Sequence, residues 1–207
     1  MMMSSKELFM STLSLAIDTP HTPSQSLAMD GGMLFWAGLS YGAASFVQYL
    51  VLSGHVALVH PAMMGLVWMG ATVAFVLFGF ILKIGSDRLL LQQPAVKRFR
   101  AVWGSLIVGA GVVVAALMIM MVKFGAGAHA AFIVSPVALS VYGIGWRVAA
   151  VMTARRWPNL LSLGCFAGAI GLALLAGQPE QSLAYSAALI VFAIVPGLAL
   201  LLRQNAH

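Results

Sequence analysis

The chain has 207 residues, of which 61% are hydrophobic and only 8% charged, and its formal net charge is +6. Soluble domains carry about 25% charged residues, so this composition excludes a chain whose outer surface faces water. The eleven Lys and Arg residues stand between apolar runs and form no dense basic stripe, which excludes nucleic acid as a partner. The expected surroundings are therefore the lipid bilayer.

The first thirty residues differ from the rest of the chain. Ser4 and Glu7 have the spacing of a capping box, at the start of an amphipathic segment that ends near Asp18. Residues 19–26 contain two prolines and several hydroxyl side chains, which predicts an extended linker. We interpret residues 1–30 as a cytoplasmic arm that either docks a partner protein or lies on the bilayer as a frayed tail.

Six apolar stretches approach the roughly 20 residues that a helix needs to cross a bilayer. They cover residues 33–52, 62–82, 102–122, 130–152, 160–176 and 183–202. Backbone groups in lipid must be satisfied within a segment, and the alternation of barrel strands is absent, so each stretch is predicted to be a helix. The predicted fold is all-α: a polytopic membrane bundle over residues 31–203, with six transmembrane helices in three antiparallel hairpins, followed by a short tail over 204–207.

The basic residues predict the orientation of this bundle. One side collects Lys6, Lys83, Arg88, Lys97, Arg98, Arg100, Arg155, Arg156 and Arg203, whereas the other side has only Lys123. Cytoplasmic loops carry the excess of Lys and Arg. The protein is therefore expected in the inner (cytoplasmic) membrane with both termini in the cytoplasm.

The loop between the second and third stretches is the most basic part of the chain. It contains five basic residues against the single acid Asp87: Lys83, Arg88, Lys97, Arg98 and Arg100. Each basic residue near a membrane surface gains about 1 kcal/mol from anionic lipid. We expect this loop to contact lipid headgroups, with a partner protein as the alternative.

An internal repeat is the most informative pattern. Residues 36–43 (WAGLSYGA) and 103–110 (WGSLIVGA) share tryptophan, leucine, glycine and alanine in register, and the similarity resumes at His55 and His129. The pattern favours a tandem repeat of the first two hairpins, although apolar sequences also align by chance. Close helix contacts are predicted at small residues: Gly38 and Gly42; Ala101, Ser105 and Gly109; Gly164 and Gly168.

Three histidines fall on the outer side: His55, His60 and His129. Neutral imidazole binds transition metals and haem iron, but interfacial histidines also hydrogen-bond headgroups and loop carbonyls. The only cysteine, Cys165, lies inside an apolar run and is interpreted as a packing residue. No cofactor is therefore expected, with haem or a transition metal at the three histidines as the alternative.

Polar side chains inside membranes commonly mark solute or proton pathways. No Asp or Glu lies within a predicted span, which disfavours a pump that uses a membrane carboxylate. The candidates for an intramembrane polar site are Gln48, Tyr142 and Arg147. Gln48 can also satisfy itself against a neighbouring helix, and Arg147 is near enough to the cytoplasmic edge to snorkel. Pro136 and Pro196 are predicted to kink their helices, either for gating or for static packing.

The chain has no P-loop, HExxH, GxSxG or paired carboxylates, so we do not expect an enzyme. Three functions remain open. The first is a non-enzymatic regulatory, sensory or scaffolding membrane protein. The second is a carrier or channel for a small solute, using Gln48, Tyr142 and the proline kinks. The third is a metal- or haem-binding redox protein.

Overall fold

The computed structural model describes residues 23–57, 62–85, 94–124 and 127–204, and these residues contain helices and no strands. The helices are α1 (Pro23–Leu52), α2 (Ala62–Gly85), α3 (Pro94–Phe124), α4 (Gly127–Thr153), α5 (Trp157–Leu174), α6 (Pro179–Leu189) and α7 (Val195–Gln204). A π-helical turn, Ile190–Ile194, joins α6 directly to α7. The all-α prediction is confirmed for the described part of the chain.

Four helical segments are long and apolar enough to cross a membrane. Within the described residues they are Met63–Ile81 in α2, Phe132–Thr153 in α4, Trp157–Leu174 in α5 and Pro179–Leu202 across α6 and α7. The chain is therefore a helical protein suited to cross a membrane several times.

The first helix is longer than predicted. It begins at Pro23, because the fixed φ of proline suits the first position of a helix. Residues 23–26 are thus helical, and their prediction as extended linker is wrong. The amphipathic segment predicted before them lies outside the described residues.

The most deeply buried side chains come from four rods. Trp146 and Leu139 belong to α4, Cys165 to α5 and Leu189 to α6, and each is 0% exposed, while Ser45 on α1 is 1% exposed. The α6–α7 rod packs along α1, and α5 packs along α4. We call α1, α4, α5 and the α6–α7 rod the core bundle.

Two helices lie at the periphery of the core bundle. Helix α2 packs along α1, and α3 packs mainly along α4. None of the Met63–Ile81 span of α2 is buried. Helix α1 carries three polar side chains within its apolar stretch: Ser40, Ser45 and Gln48. Since α1 has α2 on one side and the α6–α7 rod on another, those polar groups can face other helices instead of lipid.

Glycines bring two pairs of helices into close contact, as predicted. A Cβ atom on Gly38 would lie 2.9 Å from the Cβ of Ala193, between α1 and the π-helical turn. A Cβ on Gly168 would lie 2.9 Å from Leu139, between α5 and α4. The predicted seam on α3 is wrong: Ala101 and Ser105 are exposed, and a Cβ on Gly109 would meet nothing within 4 Å.

The two tryptophans of the sequence repeat both face the helix that follows them. The rings of Trp36 and Phe78 are 4.3 Å apart, and Trp103 covers Gly145 on α4. Their surroundings differ, because α2 is peripheral whereas α4 belongs to the core bundle. Gly70 is the repeat equivalent of Gly145, since each stands nine residues after a proline, Pro61 or Pro136. A Cβ on Gly70 would meet nothing within 4 Å. The tandem repeat stays a prediction.

Candidate functional site

Each intramembrane proline leaves one carbonyl without its helical donor. Pro136 has no N–H, so the carbonyl of Phe132, four residues earlier, loses its partner within α4. The side chain of Gln181 on α6 donates to that oxygen from Nε2 at 2.8 Å, and also to the carbonyl of Leu172 at 3.1 Å. Gln181 is buried and joins three rods of the core bundle.

Near the second proline, the donor comes from α4 and the carbonyl acceptor lies in the α6–α7 rod. Pro196 on α7 cannot donate to the carbonyl of Phe192, which lies in the π-helical turn. Trp146 Nε1 on α4 donates to this oxygen at 3.0 Å. Helix α4 therefore donates to a backbone carbonyl of the α6–α7 rod, and α6 donates to a backbone carbonyl of α4. This arrangement favours static packing over gating, because separating the rods would break both of these hydrogen bonds, at about 0.5–1.5 kcal/mol each.

Serine side chains connect the same rods. Ser45 on α1 donates to the carbonyl of Ser182 at 2.8 Å, and Ser186 on α6 donates back to the carbonyl of Gly42 at 3.0 Å. Ser162 on α5 donates to the carbonyl of Gly143 on α4 at 2.8 Å. All three hydroxyls are buried, and interhelical hydrogen bonds of this kind contribute about 0.6 kcal/mol each in membranes.

Helix α2 is attached to α1 by aromatic side chains and one hydrogen bond. Trp68 Nε1 donates to Gln48 Oε1 at 2.9 Å. The Tyr41 ring stacks on Trp68 with centroids 6.3 Å apart and lies 5.7 Å from Phe75. The amide oxygen predicted for solute binding therefore holds the peripheral helix in place.

Three tyrosines come close together between α1, α4 and α6. Tyr185 belongs to the buried core, and Tyr41 and Tyr142 pack against that core. Tyr185 is 5% exposed, whereas Tyr41 and Tyr142 are half-buried. Phenol hydroxyls both donate and accept hydrogen bonds. We call Tyr41, Tyr142 and Tyr185 the tyrosine cluster.

The three residues predicted for an intramembrane polar site have separate partners. Gln48 binds Trp68, and Tyr142 belongs to the tyrosine cluster. Arg147 is exposed and donates from Nη1 to Asn159 Oδ1 at 2.6 Å, near the start of α5. No hydrogen bond joins the three residues to one another in the described structure.

The predicted metal and lipid sites are described only in part. His55 Nδ1 lies 2.7 Å from Ser53 Oγ, while His60 and the side chain of His129 lie outside the described residues. The side chains of the basic loop, Lys83, Arg88, Lys97, Arg98 and Arg100, lie outside them as well. Among the side chains that are described, no three His, Cys, Asp or Glu residues form a group able to hold a metal ion. Both sites stay predictions.

An open groove runs between α1 and α2. Its volume is about 310 Å³, and small or β-branched residues line it, among them Ser40, Ala43 and Val47 on α1 and Val67, Gly70 and Ala74 on α2. Nearly all of its surface is apolar.

No known protein family, characterised protein or solved structure matches this chain. Any function must therefore be argued from the chain's own geometry.

Sequence reasoning missed Gln181 and Trp146 as partners of the proline-freed carbonyls. A signal for them was present, because each intramembrane proline creates one buried acceptor that needs a donor from elsewhere. Gln181 and Trp146 are side chains that can donate such a bond. The sequence alone does not say which donor side chain lies within hydrogen-bond distance of which carbonyl.

Proposed function

We propose that this protein crosses the inner membrane six times, with both termini in the cytoplasm. Helices α2, α4, α5 and the α6–α7 rod are candidate spans, and α1 and α3 lie along them. A helix packed lengthwise between spans occupies the same layer of the membrane. The Arg155–Arg156 turn and Lys123 lie at opposite ends of α4, which supports the orientation given by the basic residues.

Accessibility of single cysteines tests this topology. In a Cys165→Ala background, cysteines at positions 98 and 155 should react with a membrane-impermeant maleimide only from the cytoplasmic side. A cysteine at position 123 should react only from the outer side. Reaction of positions 98 and 155 from opposite sides would contradict six crossings.

Within this topology, the protein acts as a non-enzymatic regulatory or scaffolding subunit that binds the transmembrane helix of another membrane protein. The observation that carries this role is the groove between α1 and α2, beside a peripheral helix with no buried span. Small residues on both walls let a third helix approach closely. The hydrogen bonds of the core bundle keep one wall of the groove fixed.

Photo-crosslinking inside cells tests the scaffold role. A photoreactive amino acid at Val67, in the groove, should give an adduct of defined mass with one membrane protein. The same amino acid at Leu174, which is 80% exposed on α5, should give lipid adducts only. The Val67 adduct should disappear when Ala74→Leu fills the groove. Lipid adducts alone at Val67, or a protein adduct that survives Ala74→Leu, would reject this function.

The tyrosine cluster favours a second candidate, a carrier for a small neutral solute. Three hydroxyl groups from three helices can hold a solute that exchanges hydrogen bonds with them. Proteoliposomes loaded with a panel of sugars, polyols and amides test this candidate by their osmotic swelling. Tyr142→Phe should abolish any uptake that the protein confers, whereas Tyr49→Phe should not. Uptake that withstands Tyr142→Phe, or no uptake of any solute in the panel, would reject the carrier.

A further inference from the structure

The turn between α4 and α5 is too short to leave the membrane interface. The span in α4 ends at Thr153 and the span in α5 begins at Trp157. Ala154, with φ of +53°, lies between them with Arg155 and Arg156. Both arginines are exposed. Because a crossing helix leaves the turn on either side, the two guanidinium groups are held at the depth of the lipid headgroups.

A third guanidinium faces the same turn. Arg147 lies within the last two turns of α4, and its Nη1 donates to Asn159 Oδ1 at 2.6 Å. The backbone N–H of Asn159 donates in turn to the carbonyl of Arg156 at 3.1 Å. Asn159 therefore positions Arg147 beside the turn and leaves most of its five N–H donors unused.

No carboxylate neutralises these three arginines in the described part of the chain. Glu180 is the only acid whose side chain is described there, and it stands at the start of α6, at the opposite end of α5. Guanidinium groups bind phosphate oxygens through paired, charge-assisted hydrogen bonds. The charge of the turn therefore fits a phosphate group.

Apolar side chains extend from the turn into the membrane. Leu160 and Leu163 on α5 are 71% and 65% exposed, and Val151 on α4 is 72% exposed. Leu160 stands one helical turn from Arg156, and Val151 one turn from Arg147. A ligand with a phosphate group at one end and hydrocarbon at the other would contact both surfaces. Free phosphate would contact only the arginines of the turn.

From these contacts we infer that the α4–α5 turn is a binding site for an anionic glycerophospholipid. The headgroup phosphate binds Arg155 and Arg156, with Arg147 beside it, and an acyl chain lies along Leu160 and Leu163. The site rests on the α4 and α5 spans alone. It is independent of the scaffold role, so either proposal can fail without the other.

Photoreactive lipids test this site in the full-length protein. The protein is reconstituted with phosphatidylglycerol or phosphatidylcholine that carries a diazirine on the same acyl chain, and adducts are located by peptide mass spectrometry. Phosphatidylglycerol should label residues 157–163 in clear preference to phosphatidylcholine. At about 1 kcal/mol per basic residue, that preference should fall roughly fivefold in Arg155→Gln or Arg156→Gln and roughly thirtyfold in the double variant.

The matched control is Lys97→Gln/Arg98→Gln, which removes the same charge at the start of α3 and should leave the preference at residues 157–163 intact. Soluble glycerol phosphate should not compete at equal concentration. Equal labelling by the two lipids, equal loss in the control, or full competition by glycerol phosphate would each overturn the site. If the double variant fails to fold, the two single variants decide.

Discussion

Gln181 donates a hydrogen bond to the carbonyl oxygen of Phe132, the group to which Pro136, lacking an N–H, cannot donate inside α4. Trp146 Nε1 on α4 likewise donates to the carbonyl of Phe192 in the other rod, four residues before Pro196. Each of two adjacent rods thus completes the backbone hydrogen bonding of the other. The hydrocarbon of a bilayer contains no water that could donate to these carbonyls, so neighbouring helices must donate to them.

The first prediction concerns the pair Gln181 and Pro136. Gln181→Leu should lower the free energy of unfolding by about 1–3 kcal/mol, because it removes the two buried hydrogen bonds that Gln181 donates to the carbonyls of Phe132 and Leu172. In a Pro136→Ala background the new backbone N–H can satisfy the carbonyl of Phe132, so the same Gln181→Leu change should cost distinctly less. Unfolding by SDS in mixed micelles measures all four proteins of the cycle. Equal costs in the two backgrounds would contradict the relationship.

The second prediction separates an indole hydrogen bond from indole packing. Trp146→Phe and Trp157→Phe remove the same atoms, but within the described structure only Trp146 Nε1 has a hydrogen-bond partner, whereas Trp157 Nε1 is buried without one. Trp146→Phe should therefore be the more destabilising by about 1–3 kcal/mol in the same unfolding assay. Equal losses would show that the bond to the carbonyl of Phe192 contributes nothing.

The third prediction concerns the serines between α1 and α6. Ser45→Ala and Ser186→Ala should each lower the free energy of unfolding by about 0.6 kcal/mol, since each removes one interhelical hydrogen bond. Ser105→Ala is the control, because that exposed hydroxyl donates only to the carbonyl of Ala101 within its own helix. If Ser105→Ala costs as much as the other two, the serine bonds do not hold the rods together.

The fourth prediction tests the closest approach of α1 and α7. A Cβ on Gly197 would lie 2.6 Å from the backbone nitrogen of Phe35 and 2.8 Å from the carbonyl oxygen of Gly31. Gly197→Ala should therefore destabilise the protein by about 1–3 kcal/mol, since backbone must shift to make room. Gly109→Ala, on an open face of α3, should stabilise the helix by about 0.8–1 kcal/mol, the ordinary gain in helix propensity. A neutral Gly197→Ala would contradict this packing.

The sequence predicted where helices form better than how they pack. Five of the six predicted apolar stretches lie largely within one helix, and the sixth, 183–202, runs through α6, the π-helical turn and α7. The agreement is good because stretch length and the need to satisfy backbone groups in lipid are local properties. The close contacts of Gly38 and Gly168 were predicted correctly, whereas the seam on α3 was not. Small residues occur on packed and on lipid-facing surfaces alike, so their spacing alone does not locate a contact.

The candidate site was predicted only as separate residues. Tyr142 was recognised as an intramembrane polar side chain, but its grouping with Tyr41 and Tyr185 depends on three helices that are distant in the chain. Of the two interpretations of Gln48, a solute ligand or a contact with a neighbouring helix, the structure shows the second, because its amide oxygen accepts a hydrogen bond from Trp68. Such contacts depend on where two helices pack across each other, which composition does not encode.

By itself, the amino-acid sequence determined that this chain is helical and apolar, where its prolines open the backbone, and which segments carry its positive charge. Only the tertiary structure decided that α2 and α3 stand outside the core bundle, and that Gln181 and Trp146 complete the broken helices. The physical reason is visible in two leucines: Leu139 is 0% exposed and Leu160 is 71% exposed. Lipid is as apolar as a protein interior, so the same residue type serves both surroundings and the choice between them is made by packing.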